Sequence, residues 1–322
     1  MIDNQIKKII VFGDDKLMNP LNIAVGIDEN YVAQMGIMLT SLVENNSNMA
    51  LEVHIFISNI ANDDLDKLKR FATHYKNVCI KIYAIEESKF RDLHIDQYNI
   101  TLATYFRIVI PEILYNDLDY VLYIDADIIC TNKIDTLLDE TFDGCPVLAA
   151  SDQISDYISD NYKKALGMDK DAEYFNAGVL YIDLKKWHDL EISSKAFAVL
   201  KQRKLKFMDQ DALNIVVVNM WKKIPIKYNY KYKTDREIPE DTVLIHYTGG
   251  MGKPWQPWND RLEGAVLFNK YCSMSLWKDY RYKLRHYREW RMWHKEMLRR
   301  GEYCRAAKCY IRYIMAKLKA LC

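Results

Sequence analysis

Two carboxylates, Asp125 and Asp127, stand one residue apart directly after the apolar run Tyr120-Val-Leu-Tyr-Ile124. At a strand's end, side chains two positions apart point to the same side. Carboxylates so placed repel, and one takes up a proton unless a cation joins them. A divalent ion that prefers hard oxygen ligands, Mg²⁺ or Mn²⁺, removes that conflict. The pattern alone decides little, because Asp-x-Asp also occurs at Asp64/Asp66, Asp117/Asp119, Asp169/Asp171 and Asp209/Asp211. Only Asp125 follows an uninterrupted apolar strand, and that context separates a metal pair from a solvated one.

His246 closes a second apolar run, in Leu244-Ile-His-Tyr-Thr-Gly249. A histidine there is either a hydrogen-bonded core residue or a third ligand. The ligand reading favours Mn²⁺ over Mg²⁺, since nitrogen suits the later metal. A glycine-rich stretch follows, from Gly249 to Gly252, and then Lys253-Pro-Trp255. Backbone N–H groups at glycines approach an anion closely and Lys253 adds a fixed charge, which suits a diphosphate; a plain turn is the alternative. Asp-x-Asp after an apolar strand also fits a phosphatase of the haloacid dehalogenase type, with Thr or Val two positions after the second Asp. Ile129 stands at that place, and there is no clear lysine-centred partner motif.

Strands and helices must bring these residues together. Leu21–Ile27, Leu51–Ser58, Val78–Ile85 and Tyr120–Ile124 read as strands. Between them Tyr31–Glu44, Asp63–His74 and Thr101–Leu114 carry apolar residues at helical spacing, the last despite Pro111. Further strands are expected at Val147–Ala150, Gly178–Ile182 and Val243–Tyr247, and helices at Ser193–Lys201 and Asp211–Val218. This alternation predicts a mostly parallel sheet covered on both faces, with ligands at the strand ends.

The 322 residues carry 45 Lys/Arg and 44 Asp/Glu, unevenly spread. From Ser273 onward there are 14 basic and 4 acidic side chains, leaving 31 and 40 for the first 272 residues. An acidic body with a basic tail implies two surfaces with different partners, and the body opposes nucleic acid. In the tail Trp277, Tyr280, Tyr282, Tyr287, Trp290 and Trp293 lie among Arg281, Lys283, Arg285, Arg288, Arg291 and Lys295. Ile311, Ile314, Met315, Leu318 and Leu321 then form a stripe at helical spacing. Such a helix lies in the headgroup layer of an anionic membrane, or packs on the body or a second subunit. Seven scattered cysteines without metal-site spacing indicate a reducing compartment. Ile9–Phe12 is too short an apolar run for a signal peptide, and no run reaches spanning length. The expected location is cytoplasmic, peripheral on a membrane face.

Seven segments in order resemble glycosyltransferase family 8, the retaining GT-A enzymes. They are Asn22-Ile-Ala-Val-Gly-Ile-Asp28-Glu-Asn30-Tyr31, Thr104-Tyr-Phe-Arg107, Tyr123-Ile-Asp-Ala-Asp127 and Phe175-Asn-Ala-Gly-Val179. Asp183-Leu-Lys-Lys-Trp187, Asp209-Gln-Asp211 and His246-Tyr-Thr-Gly249 with Lys253-Pro-Trp255 complete the set. The resemblance covers about residues 21–258. Gly26-Ile-Asp-Glu-Asn30 and the basic aromatic tail make it closest to the lipopolysaccharide outer-core α-glucosyl- and galactosyltransferases of Gram-negative bacteria. The loop from His246 to Lys253 is one residue longer than in some relatives.

The resemblance implies an α/β fold of the GT-A nucleotide-sugar-binding type, with a mixed, mostly parallel central sheet and a helical basic C-terminal tail. Residues 1–20 would be an N-terminal extension, 21–272 the catalytic domain and 273–322 the membrane-associating tail. Asp125, Asp127 and His246 would hold Mn²⁺, with Mg²⁺ the other candidate. Asp28 would bond the uracil edge and Tyr31 stack on it, beside Gly26, which lets the base approach, and Asn30. The bland readings are an N-cap aspartate and a core tyrosine. Arg107 would contact the diphosphate or donor sugar; a structural ion pair is its alternative. Ala126, Asp152, Asn176 and Ala177 would line the donor sugar, and Gly249 and Lys253 the diphosphate. Asp209, Gln210 and Asp211 match the family's sugar-face triplet, with Gln210 near the anomeric carbon; Asp209 is also placed to cap the following helix. The implied reaction moves glucose or galactose from a UDP-sugar to the lipopolysaccharide core at the cytoplasmic face of the inner membrane. The rival is a non-catalytic sugar-binding protein of the same fold, against which the intact Asp125, Asp127, His246 and Gln210 stand.

Overall fold

The computed structural model describes residues 6–90, 101–152, 158–249, 252–284 and 286–320. The chain packs as two compact units, Met1–Tyr232 with Ile238–His246, and Lys233–Glu237 with Tyr247–Cys322. The change of composition at residue 273 falls inside the second unit.

In the first unit the strands are β1 (Ile6–Phe12), β2 (Leu21–Ile27), β3 (Leu51–Ile57), β4 (Val78–Ile85), β5 (Tyr120–Ile124) and β6 (Ile128–Cys130). They continue with β7 (Val147–Ser151), β8 (Phe175–Asp183), β9 (Lys222–Lys223), β10 (Tyr230–Lys231) and β11 (Leu244–His246). Eight form one mixed sheet in the order β1-β4-β3-β2-β5-β8-β7-β9, and three form a small sheet, β10-β11-β6. The central strands β4, β3, β2 and β5 run parallel. Helices cover both faces of such strands, which therefore read as near-continuous apolar runs. All seven residues of β3 are buried, Glu52 and His54 included. Beyond β5 the direction reverses, since β8 pairs antiparallel with both β5 and β7.

The helices of this unit are α1 (Val32–Asn45), α2 (Asn62–His74), α3 (Phe106–Leu114), α4 (Asp135–Leu138), α5 (Asp160–Leu166), α6 (Leu184–Asp189), α7 (Ile192–Gln202) and α8 (Met208–Val216). The stretch expected as one helix over 101–114 is divided: a tight 3₁₀ turn over Leu102–Tyr105 hands over to α3 at Phe106. A second departure is β1, an edge strand antiparallel to β4 with Phe12 opposite Ile80, where an extension was expected. Its run Ile-Lys-Lys-Ile-Ile-Val-Phe shows no clean alternation, and its register with β4 shifts between Ile6 and Lys8; Lys7 and Lys8 charge this edge strand.

The second unit carries α9 (Glu263–Met274), α10 (Tyr287–Arg299) and α11 (Tyr303–Lys319). The two last helices form a hairpin. Met297, Ala306 and Cys309 make its small core, with Trp293 against them. His286 and Glu289 cap α10 reciprocally, and Glu289 also accepts from the Tyr282 hydroxyl. Arg300 ties the hairpin to Asp260 at 2.6 Å.

Candidate metal and donor site

Asp125 follows β5 at its C-terminal end, where the chain leaves the large sheet, and Asp127 leads into β6 of the small one. His246 ends β11, whose antiparallel register sets it opposite Ile128. Local pairing thus brings three distant ligands together: one ligand atom from each of Asp125, Asp127 and His246 lies within 4.8 Å of the others. His246 Nε2 is 3.2 Å from Asp127 Oδ1 and 3.7 Å from Asp125 Oδ2. Two carboxylate oxygens and one imidazole nitrogen converging from different strands form a donor set that fits a divalent cation.

Asp125 is held from behind. Asp125 Oδ1 accepts from Arg107 Nη2 at 2.9 Å and from the Tyr123 hydroxyl at 2.7 Å, which leaves Oδ2 on the His246 side. Burial pushes the Tyr123 phenol well above its ordinary range, and its bond to Asp125 adds to that. The phenol therefore stays a donor. Arg107 also donates to the Ala177 carbonyl at 2.7 Å and lies 2.9 Å from Asp209 through Nε. Burial disfavours the guanidinium charge, but Asp125 and Asp209 outweigh it and push its pKa up. Burial likewise pushes the Asp209 carboxyl up, against the pull of Arg107 and Thr104. The Nε···Oδ2 approach is an ion pair without hydrogen-bond alignment, so neither atom has a hydrogen bond among the described residues. Arg107 is thus committed to protein partners here, the ion-pair reading of its sequence context.

Gln210 sits in the first turn of α8, half-buried between fully covered neighbours. Its Oε1 accepts from Ala177 N at 3.1 Å and Asn176 Nδ2 at 3.0 Å, and its Nε2 donates to Asp152 Oδ2 at 3.2 Å. Ala177 is therefore a main-chain bridge: its carbonyl holds Arg107 and its N–H holds Gln210. Asp152 is bonded further to buried Lys231, at 2.8 Å.

Other expected residues are placed differently. Asp211 is fully buried and accepts from the hydroxyls of Tyr162 and Tyr174, each at 2.6 Å, and from Phe207 N at 2.7 Å. Those bonds give it a positioning role behind Gln210. Phe207 is the N-cap position of α8, so Asp211, and not Asp209, satisfies that helix start. Asn176 has its full complement of bonds within the protein: Oδ1 accepts from Gly178 N and Asn229 Nδ2, and Nδ2 donates to Gln210 and Asp152. Asp28 accepts from Asn30 N at 2.8 Å and Asn30 Nδ2 at 3.2 Å, closing the turn between β2 and α1. It does not cap α1, whose half-buried N-cap residue is Tyr31. At Gly26 an added Cβ would lie 2.8 Å from the Phe106 Cβ, so the close packing of β2 on Phe106 requires glycine there. Ala126 is buried between the two ligand carboxylates.

In the second unit Lys253 is buried, donates through Nζ to the Tyr247 carbonyl, and lies 5.6 Å over the Trp255 ring. Gly249 holds a φ of +80°, the left-handed region where a side chain is strained. Gly250 and Met251 lie outside the described residues.

The sequence model for glycosyl transferase family 8 matches residues 22–259. The chain belongs to glycosyltransferase family 8. Among relatives, the lipopolysaccharide 1,2-glucosyltransferase of Escherichia coli K12 is 34% identical over 279 residues, 80% of this chain and 79% of that protein. The lipopolysaccharide 1,3-galactosyltransferase of Salmonella typhimurium is 30% identical over 257 residues, 74% of this chain and 73% of that one. A crystal structure of the galactosyltransferase LgtC with donor and acceptor sugar analogues matches with a TM-score of 0.70 at 23% identity, over 80% of this chain and 96% of that one. That likeness establishes the GT-A fold for this family 8 chain.

The residues that sequence reasoning missed are Asn229, Lys231, Tyr162 and Tyr174, none of which belongs to a motif; Thr104 stands in the Arg107 motif, but its bond to Asp209 was not foreseen. The nearest signal is Tyr228-Asn-Tyr-Lys231, polar residues between aromatics just before the small sheet.

Proposed function

We propose that this family 8 enzyme is a hexosyltransferase that moves glucose or galactose from a UDP-sugar to the lipopolysaccharide core, with retention of configuration. The observation that carries this reading is the convergence of Asp125, Asp127 and His246 at the ends of three strands, linked to Gln210 through Arg107 and the Ala177 main chain. The donor set favours Mn²⁺ over Mg²⁺ because of its imidazole nitrogen. Such an ion supplies a Lewis acid and a template for the departing diphosphate. Arg107 holds Asp125 in place and offsets its charge, while the clamped amide of Gln210 faces the donor sugar. Asp28, steadied by Asn30, reads the imide edge of uracil and Tyr31 stacks on it. Lipopolysaccharide as acceptor is supported by the likeness to lipopolysaccharide glucosyl- and galactosyltransferases.

The same reading places the protein on the cytoplasmic face of the inner membrane. No helix among the described residues is long and apolar enough to cross a membrane. The expected contact surface shifts, however. Trp277 is buried, and Tyr287, Trp290 and Trp293 are half-buried between α10 and α11, so those rings stabilise the hairpin. The exposed apolar face belongs to α11: Tyr303, Tyr310, Ile311, Ile314, Met315 and Leu318. Arg305, Lys308, Arg312, Lys317 and Lys319 flank it. An apolar face bordered by cations suits an anionic headgroup layer, at roughly 1 kcal/mol for each basic residue near the surface. Arg285 and Leu321, expected to contribute, lie outside the described residues.

A panel of UDP-sugars with Mn²⁺ or Mg²⁺, scored by UDP release with and without truncated lipopolysaccharide, tests the whole reading. One hexose should give release that the acceptor stimulates and EDTA abolishes. No release from any UDP-sugar in the presence of metal would overturn it.

A further inference from the structure

A histidine can bind a cation through only one ring nitrogen at a time, and something must decide which one is bare. We infer that Asn229 makes that decision for His246, and that the instruction originates at the backbone N–H of Gly178. The chain of bonds is buried: Asn229 is 1% exposed, His246 4% and Asn176 6%. Water therefore does not compete at these positions.

One group in the chain of bonds cannot change role. Gly178 N–H can only donate, and it lies 3.1 Å from Asn176 Oδ1, which is therefore the oxygen. The other end of Asn176 agrees. Its Nδ2 faces Gln210 Oε1 at 3.0 Å, and that oxygen is itself fixed by Ala177 N–H at 3.1 Å. Asn229 approaches Asn176 Oδ1 at 2.9 Å and must do so with its NH₂, because an oxygen there would face an oxygen. The Asn229 carbonyl oxygen is then the atom 2.9 Å from His246 Nδ1, so Nδ1 carries the hydrogen. In the neutral ring Nε2 is left with its lone pair, on the side of Asp125 and Asp127. Asn229 is thus a positioning residue that acts through a metal ligand. It extends the proposed metal site by one shell, and its role in metal affinity rests on that proposal.

Two measurements on the full-length chain separate the inference from the proposal on which it rests. In metal-free protein labelled with ¹⁵N-histidine, the His246 resonances are assigned by their loss in His246→Gln. They should report the Nδ1–H tautomer in the wild type and a shift toward Nε2–H in Asn229→Leu. An Nε2–H tautomer in the wild type would overturn the inference whatever the metal does. Mn²⁺ titration by EPR then compares two variants, with thermal unfolding in EDTA used to select conditions where both are folded. Asn229→Asp keeps an acceptor for Nδ1–H, whereas Asn229→Leu keeps only the volume. Affinity should fall roughly 10- to 100-fold in the leucine variant and be largely retained in the aspartate variant. The reverse order would mean that Asn229 only packs, and would sink its role in binding. An Nδ1–H tautomer in a wild type that binds no Mn²⁺ would instead overturn the metal-site reading and leave the tautomer assignment standing.

Discussion

A side chain at Gly178 and the imidazole of His246 exclude each other: a Cβ on Gly178 would lie 2.2 Å from His246 Cε1 and 2.6 Å from Nδ1. The ring lies against Gly178 of β8, whose carbonyl also accepts from Asp125 N at 2.8 Å. One residue therefore seats one ligand and anchors another. Gly178→Ala should displace the imidazole and weaken Mn²⁺ binding by roughly tenfold or more, read by calorimetric titration. Unchanged affinity would show that the ring can relocate without loss.

Asp125→Ala and Asp127→Ala should each lower kcat/KM by at least about 100-fold, equivalent to about 2.7 kcal/mol of transition-state stabilisation. EDTA should silence the wild type and added Mn²⁺ restore it. The Asp125 variant should also lose thermal stability, since Arg107 and Tyr123 are left without their carboxylate acceptor. Full turnover in EDTA would rule out the metal role of both residues.

Asp211 should behave as a structural residue. Its removal strands two tyrosine hydroxyls and one backbone N–H. Unsatisfied polar groups cost about 1–3 kcal/mol each when buried, and partial exposure at Tyr162 reduces the total, so Asp211→Ala should destabilise by about 3 kcal/mol. Urea unfolding measures this directly. A variant of native stability but no activity would assign Asp211 to the chemistry after all.

Glu52 supplies a pH signature independent of the site. Its bond to His54, against the opposing effect of burial, and its bond to Lys81 hold the carboxyl down at about 2, below its ordinary 4.5. A depressed carboxyl stabilises the fold above its unfolded pKa and loses that contribution as pH falls through the folded value. The stability difference between wild type and Glu52→Gln should be constant above about pH 4.5 and shrink toward pH 2. A difference that grows on acidification would contradict the assigned sign.

Substituting Ile311, Met315 and Leu318 together by Glu should release the protein from anionic liposomes, because all three are exposed on α11. Metal-dependent UDP-sugar hydrolysis should be unaffected, since none of the three substituted residues belongs to the proposed metal or donor site. Undiminished liposome binding at physiological salt would refute the α11 surface as the contact.

Much of this architecture was legible in the sequence, for a physical reason. Buried parallel strands such as Leu21–Ile27 and Val78–Ile85 are continuous apolar runs and declare themselves. The carboxylate pair was legible because a strand end points both side chains one way. The shortest elements were not: β9 and β10 have two residues each, too few for any period to register, whereas β11 lies inside the strand expected at Val243–Tyr247. The second layer of the site was hidden for a related reason. Asn229 is informative only through partners 53 positions back and 17 ahead, and no local pattern encodes that. Asp211 misled because sequence places it beside Gln210, whereas the helix turns its carboxylate into the core.

The junction between the two sheets has a consequence for how the enzyme comes into being. Asp125 and Asp127 flank the passage from β5 to β6, but their third partner stands at His246, the last residue of the last strand. Contacts so distant along the chain form late, after the loop between them has been closed. During synthesis the two carboxylates leave the ribosome well before β11 exists, and the small sheet that seats His246 cannot pair until Leu244–His246 has emerged. Any cation held by the three residues would thus be loaded only by a finished domain, and a nascent or prematurely ended chain would present both carboxylates without His246.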